Sequence, residues 1–231
     1  MHLFHCADLG TGTVSLPDEE AHHALHVLRL RAGSTVGLLD GKGGFAEAEL
    51  TTVDKKQCLA TVIRRDQAIP ERAARIHLAV APTKQMERFE WFLEKATELG
   101  VDRITPLQTE RTERTKLRHD RLERVLIGAM KQSRRRWLPQ LDGLTRLSEL
   151  ESGAPQKFFG WCEGQRMELA RTYNPVKDAL IAIGPEGDFT PEEAEMLTAN
   201  GFRAVSLGTS RLRTETAALA ACAGMNFAQL R

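Results

Sequence analysis

Arg211, Arg213 and Glu215 sit close together in the sequence, just after Gly208 and just ahead of an alanine-rich helical pattern. Arginine stays charged and donates from a planar fork, so two of them beside a carboxylate suit the handling of an anionic or ionisable ligand. Glu215 by itself also fits simple compensation of a helix dipole, because helix starts attract negative groups. That does not account for the two arginines. Upstream, Ile183-Gly184-Pro185-Glu186-Gly187-Asp188-Phe189-Thr190 forms a second glycine-containing loop after an apolar run. Glycine lets a backbone approach a ligand closely and reach φ > 0. Alone, Gly184 to Gly187 reads equally well as an ordinary tight turn; together, the two loops predict one shared pocket. The first loop has no Walker lysine, which argues against a triphosphate site. No Gly-x-Gly-x-x-Gly follows an early strand, which argues against a Rossmann dinucleotide site.

The elements that must position these loops are legible on either side. Ala179–Ile183 and Ala204–Leu207 read as buried strands, and each loop leads into a helix. Strand, loop, helix is the geometry in which α/β proteins bind ligands, because such loops lie at the carboxyl ends of the strands. Further upstream, Arg75–Ala81, Arg103–Leu107 and Lys157–Cys162 read as strands. Met86–Leu99 reads as a helix with Phe89, Phe92, Leu93, Ala96 and Leu99 on one face, ended by Gly100. Arg118–Arg134 and Thr214–Leu230 also read as helices. Thr190 is an N-cap, with Pro191 at the first helical position and Glu193 completing a capping box. The alternation predicts an α/β domain with a mostly parallel sheet covered by helices. Residues 1–66 differ. Met1–Cys6, Thr35–Leu39, Phe45–Val53 and Gln57–Arg64 read as strands, with a hairpin at Asp40–Gly44 and a helix from Pro17 to about Arg29. That meander has the composition of a small β-barrel. A polar stretch, Asp66–Ala74, separates it from a second domain at 75–231.

The chain has 231 residues, 42% of them hydrophobic and 27% charged, as in an ordinary globular protein. The net charge of +1 predicts no global attraction to nucleic acid, but residues 111–140 hold ten Arg or Lys against three acids, a local excess of +7. Such a patch suits a polyanionic partner or a solvated helix face. Four cysteines without a Cys-x-x-Cys, no signal peptide and no long apolar run predict a cytoplasmic protein with reduced thiols and no membrane contact. His22 and His26 have helical i, i+4 spacing, but no Cys or carboxylate cluster accompanies them, so no metal is expected.

The two C-terminal loops, Ile183 to Thr190 and Leu207-Gly208-Thr209-Ser210-Arg211-Leu212-Arg213-Thr214-Glu215-Thr216-Ala217, closely resemble those of the bacterial ribosomal RNA small subunit methyltransferase E family. Its members belong to the SPOUT, or alpha/beta-knot, methyltransferases and methylate N3 of a uridine in 16S rRNA. Further collinear matches are His22 to Leu30, Asp40 to Gly43, Lys95 to Val101, and Gln132 to Arg135 followed by Leu138-Pro139. Asp188 departs from the family's commoner glycine, and Thr209-Ser210-Arg211 from its commoner Pro-Arg-Ile. The resemblance implies a PUA-like barrel at 1–66, a SPOUT domain with a C-terminal trefoil knot, a homodimer, and S-adenosylmethionine bound bent among the knot loops. It implies cofactor contacts from Ile183, Gly184, Glu186, Gly187, Leu207, Gly208, Leu212, Thr214, Thr216 and Ala217. It places chemistry at Arg213, Arg211 and Glu215. Uracil N3 is a poor nucleophile until it loses its proton, so a cation that stabilises the anion and a base that takes the proton lower the barrier. The arginines suit the first role and Glu215 the second, with Glu186 as a second candidate base. His22, His23, Arg29, Gln132, Ser133, Arg134 and Arg135 are the expected RNA contacts, with helix packing open for the histidines and a dimer interface for the residues from Gln132 to Arg135. The implied partner is 16S rRNA or the small ribosomal subunit. A SPOUT enzyme with another RNA target, or a non-catalytic RNA-binding assembly factor, would share much of this pattern.

Overall fold

The computed structural model describes residues 1–54, 57–150 and 153–230. The chain packs as two units, Met1–Glu71 with Ile127–Leu138, and Arg72–Leu126 with Pro139–Arg231. Ile127–Leu138, which lies within the second expected span, therefore packs with the N-terminal residues.

The first unit contains strands β1 (His2–His5) and β2 (Thr13–Ser15), helix α1 (Asp18–His22), and strands β3 (Thr35–Leu39), β4 (Gly44–Val53) and β5 (Cys58–Gln67). Their order is β1-β3-β4-β5-β2, antiparallel except for the parallel pair β1 and β3. The alternation in β4 sends Ala46, Ala48 and Leu50 into a core with Phe4, Leu9, Val36 and Leu38. The helix expected to reach Arg29 stops earlier. After His22 it widens into a π-helical turn, His23–Val27, in which Leu28 N–H donates to the His23 carbonyl at 3.0 Å. Arg29 then takes a left-handed φ of 54°. In the hairpin, one Asp40 carboxylate oxygen accepts from the backbone of Lys42 at 2.6 Å and of Gly44 at 2.8 Å. Segment Ile127–Leu138 is held to this unit by an ion pair, Lys131 Nζ to Glu20 Oε1 at 2.6 Å, and by Gly43 N–H donating to the Arg136 carbonyl at 2.9 Å.

The second unit contains β6 (Ile76–Val80), α2 (Met86–Leu99), β7 (Arg103–Gln108) and the first half of α3 (His119–Gln132). Then come β8 (Gln140–Leu141), β9 (Thr145–Arg146), β10 (Gln156–Gly160), β11 (Met167–Glu168) and α4 (Leu169–Thr172). The remainder is β12 (Ala179–Ile183), α5 (Pro191–Ala199), β13 (Arg203–Ser206) and α6 (Thr214–Gln229). The sheet runs β11-β13-β10-β12-β6-β7-β8, with β9 also on β7, and every pairing is parallel. β6 and β12 are buried at every residue, as central strands covered on both faces must be. α2 buries Phe89, Phe92, Leu93 and Ala96 and ends on Gly100 at φ 84°. α5 carries the expected capping box between Thr190 and Glu193, with Pro191 at its start.

One buried polar chain crosses β6 and β7. The His77 Nε2–H donates to Thr105 Oγ1 at 2.7 Å, and the Thr105 hydroxyl donates to Asp142, which Arg103 also grips at 2.7 Å. Burial, with Arg103 adding to it and Asp142 opposing, lowers the His77 pKa from 6.5 to about 4. The unfolded chain therefore takes up the proton first as the pH falls. Stability is lost between about pH 6.5 and pH 4, by roughly 3 kcal/mol at the lower end. Urea midpoints measured across that window should fall steeply for the parent and less so for His77→Asn; equal slopes would remove His77 from the account.

Candidate functional site

Three neighbouring strands, β13, β10 and β12, end side by side, and the loops that leave them enclose a cavity of about 580 Å³. Gly160, Ile183 and Ser206 mark the strand ends at its base. Parallel strands put all their carboxyl ends on one side, so these loops converge without further design.

The loop after β12 is shaped by its backbone. Gly184 is buried, and a Cβ there would lie 3.1 Å from the Phe189 nitrogen and 3.2 Å from the Asp188 carbonyl carbon. Those atoms are backbone, so any side chain at this position would have to push the chain aside by a few tenths of an ångström. Gly187 has φ 109° and Asp188 φ 69°. Asp188 thus occupies a left-handed position that glycine fills easily and that Asp tolerates better than most residues. Its carboxylate accepts from Cys162 N–H at 2.9 Å and from Phe189 N–H at 2.8 Å, so it fastens the β10 loop to the β12 loop. Arg111 donates to the carbonyls of Gly187 and, at 3.3 Å, Phe189. Part of the basic stretch read from the sequence is therefore spent on holding this loop.

The loop after β13 turns on Ser206, whose hydroxyl donates to the Gly208 carbonyl at 2.8 Å. Gly208 has φ 132°, and a Cβ there would meet nothing within 4 Å. The Thr214 hydroxyl, buried at the start of α6, donates to the Gly184 carbonyl at 3.1 Å and stitches the two loops together. Arg213 is the N-cap residue of α6 but makes no side-chain cap, and its side chain is free to face the cavity it lines.

Of the residues expected from the sequence, Ile183, Gly184, Glu186, Gly187, Leu207, Gly208, Leu212, Thr214 and Ala217 all line the cavity, as do Arg211 and Arg213. Thr216 is exposed on α6 and is not among the lining residues. Glu215 is also outside the lining. It is only 6% exposed, and its Oε2 has no hydrogen-bond partner among the described residues. Glu186 is exposed at the cavity, 3.8 Å from Arg88 Nη1. The third wall is Trp161, Cys162, Glu163 and Arg166, none of which the sequence motifs mark as site residues. The strand read at Lys157–Cys162 held the signal, since in a parallel sheet its carboxyl end had to open on the same side. Burial and then the Asp188 carboxylate push the Cys162 thiol pKa up, against Arg211 and Arg166, so the thiol stays protonated and is a poor nucleophile.

The expected RNA contacts, His22, His23, Arg29, Gln132, Ser133, Arg134 and Arg135, all fall in the first unit. His22 packs on His26 with ring centroids 4.6 Å apart, and His23 sits edge-on to the core residue Phe4 at 6.2 Å. Ser133 turns back to the Ala129 carbonyl at 2.7 Å, while Arg134 is exposed. Among the described residues, no group of three or more His, Cys, Asp or Glu is arranged to hold a metal, and no helix is long and apolar enough to cross a membrane.

Residues 70–226 match the RNA methyltransferase domain family, and residues 16–63 match the RNA methyltransferase PUA domain family. The chain is similar to the ribosomal RNA small subunit methyltransferase E of Synechocystis sp., at 31% identity in an alignment that covers 93% of this chain and 73% of that protein. It is 27% identical to the protein of the same name from Bacillus subtilis, over 93% of this chain and 90% of that one. The solved structure of a ribosomal RNA small subunit methyltransferase E from Neisseria gonorrhoeae, bound to S-adenosyl methionine, aligns with a TM-score of 0.86 and 32% identity, covering 99% of this chain and 98% of that one. The expected parallel α/β methyltransferase domain preceded by a PUA-like domain agrees with these matches and with the sheet order.

Proposed function

This chain belongs to the ribosomal RNA small subunit methyltransferase E family, and from that premise we propose that it methylates N3 of one uridine in 16S rRNA. S-adenosylmethionine is the cofactor. The cavity of about 580 Å³ fits it, with apolar side chains from Ile183, Leu207 and Leu212 and, at Gly208, a stretch of backbone with open space beside it. When bound, S-adenosylmethionine supplies an electrophilic methyl group.

The rest of the chemistry falls to the chain's own side chains. Arg213 and Arg211 stabilise the negative charge that spreads over N3 and O4 of uracil as the N3 proton leaves. Of the two carboxylates read from the sequence as candidate bases, Glu186 lines the cavity, so it takes that proton in this proposal ahead of Glu215, which is buried outside the lining. Much of the acceleration comes from holding the base in line with the methyl group. Thr216 has no assigned contact in this arrangement. His22, His23, Arg29 and Gln132 to Arg135 serve the RNA strand. A homodimer, a trefoil knot in the C-terminal half and a cytoplasmic location belong to the same reading; the exposed Trp91, Phe227 and Leu230 are apolar surface that a second copy would cover.

The observation that carries the proposal is the convergence of both glycine loops, Arg211 and Arg213 on one cavity. Mass-spectrometric mapping of 16S rRNA from cells lacking the protein tests it. One N3-methyluridine should vanish and return on complementation. Loss of a methyl group from ribose or another base would replace the N3 assignment, and an unchanged map would defeat it.

A further inference from the structure

The first unit carries a smaller cavity of about 220 Å³, lined by Met1, Leu3, Leu39, Phe45, Arg134 and Arg136. We propose that it seats one unstacked nucleotide of the substrate RNA, with the base on the apolar floor and against Arg136, and its phosphate on Arg134. This rests on the RNA substrate argued above and adds to it a defined subsite within the first unit.

The floor is made by a missing side chain. A Cβ at Gly37 would come within 2.6 Å of Leu3 and 2.8 Å of Phe45, so glycine is what gives those two side chains room beneath the opening. Arg136 lies over the Phe45 ring, 5.1 Å from its centroid, and is ion-paired to Asp66 through both terminal nitrogens. Its charge is matched and its guanidinium plane is fixed, which makes it a flat wall more than a free cation. Flat guanidinium and aromatic faces are the surfaces on which proteins stack splayed-out RNA bases.

Arg134 differs from its neighbour. It is exposed, and its guanidinium makes no hydrogen bond or ion pair with the described residues. Its backbone is held at φ 58°, a costly conformation for a long side chain, just beyond the end of α3. An apolar floor disfavours a bare phosphate, and an open cation disfavours a neutral apolar ligand. A nucleotide has a flat apolar face and an anion a few bonds away, and it satisfies both.

The test is fluorescence anisotropy of a fluorescein-labelled single-stranded RNA octamer with the full chain, over a series of KCl concentrations. Arg136→Lys keeps the charge opposite Asp66 but removes the plane. It should weaken binding roughly tenfold with little change in salt slope. Arg134→Gly suits the left-handed backbone, so the fold is spared. It should weaken binding and make the slope of log K against log[salt] shallower by about 0.7. Circular dichroism and a urea unfolding curve matching those of the parent verify that each variant is folded. If the parent binds the octamer and both variants match it in affinity and slope, the subsite is overturned while RNA recognition stands. If the parent does not bind the octamer at any salt concentration, the subsite and RNA recognition by the isolated protein both fall.

Discussion

Arg213→Ala should lower the rate of methyl transfer by roughly two to three orders of magnitude, the usual cost of removing one preorganised group that stabilises charge in a transition state. S-adenosylmethionine should still bind with nearly the parent affinity. The expectation rests on how little else Arg213 does. Its backbone, at φ −70° and ψ 157°, forms the N-cap of α6 without a side-chain cap, and its carbonyl already accepts from Ala217 N–H at 2.8 Å. Alanine leaves those bonds in place, so the helix start and the Thr214 link to Gly184 survive. Arg213→Lys should restore only part of the rate, because it keeps the charge but loses the planar fork. Single-turnover rates beside calorimetric cofactor titrations separate the two effects. A parent-like rate in Arg213→Ala would take the chemistry away from this residue.

Asp188→Ala should weaken S-adenosylmethionine binding about a hundredfold. Two carboxylate hydrogen bonds, to Cys162 N–H and Phe189 N–H, are lost, and alanine is strained at φ 69°. Together these come to roughly 3 kcal/mol of loop organisation, which converts to about two decades in Kd. Asp188→Gly separates the causes. It removes the strain but not the lost bonds, and should recover about one decade. Asp188→Asn keeps an acceptor and tolerates the backbone, so it should bind best of the three. Equal affinity for Asp188→Ala and the parent would mean that the β10 loop needs no fastening. Asp188 holds a left-handed backbone angle and at the same time supplies a carboxylate that grips the neighbouring loop.

The parts of this fold that were legible in the sequence are those whose signal is local. Ala179–Ile183 and Thr35–Leu39 begin and end where the apolar runs do, and α2 spans Met86–Leu99 because its apolar stripe and Gly100 state both its face and its end. The capping box at Thr190 is a four-residue message. What stayed hidden depends on partners distant in the chain. β8, β9 and β11 have two residues each and exist only because β7 and β13 are there to pair with. The π-helical turn at His23–Val27 leaves no trace in periodicity, since one extra residue in a turn does not change which types are apolar. α3 reads as one helix, but nothing in its pattern says that Ile127 onward packs with the N-terminal unit. Glycines and arginines beside apolar runs mark two of the cavity's loops; the segment that forms the third wall also carries Gly164 and Arg166, but placing it at the cavity takes the order of strands in the sheet.

Among the described residues the larger sheet ends at β11 on one side and at β8 and β9 on the other, and each of these border strands is two residues long. A strand that short offers almost no ladder for a foreign chain to extend, and such truncation is one way natural sheets avoid edge-to-edge aggregation. A protein built around fully buried, strongly apolar parallel strands carries a sticky interior, and here the fold closes both seams through which that interior might template β-growth.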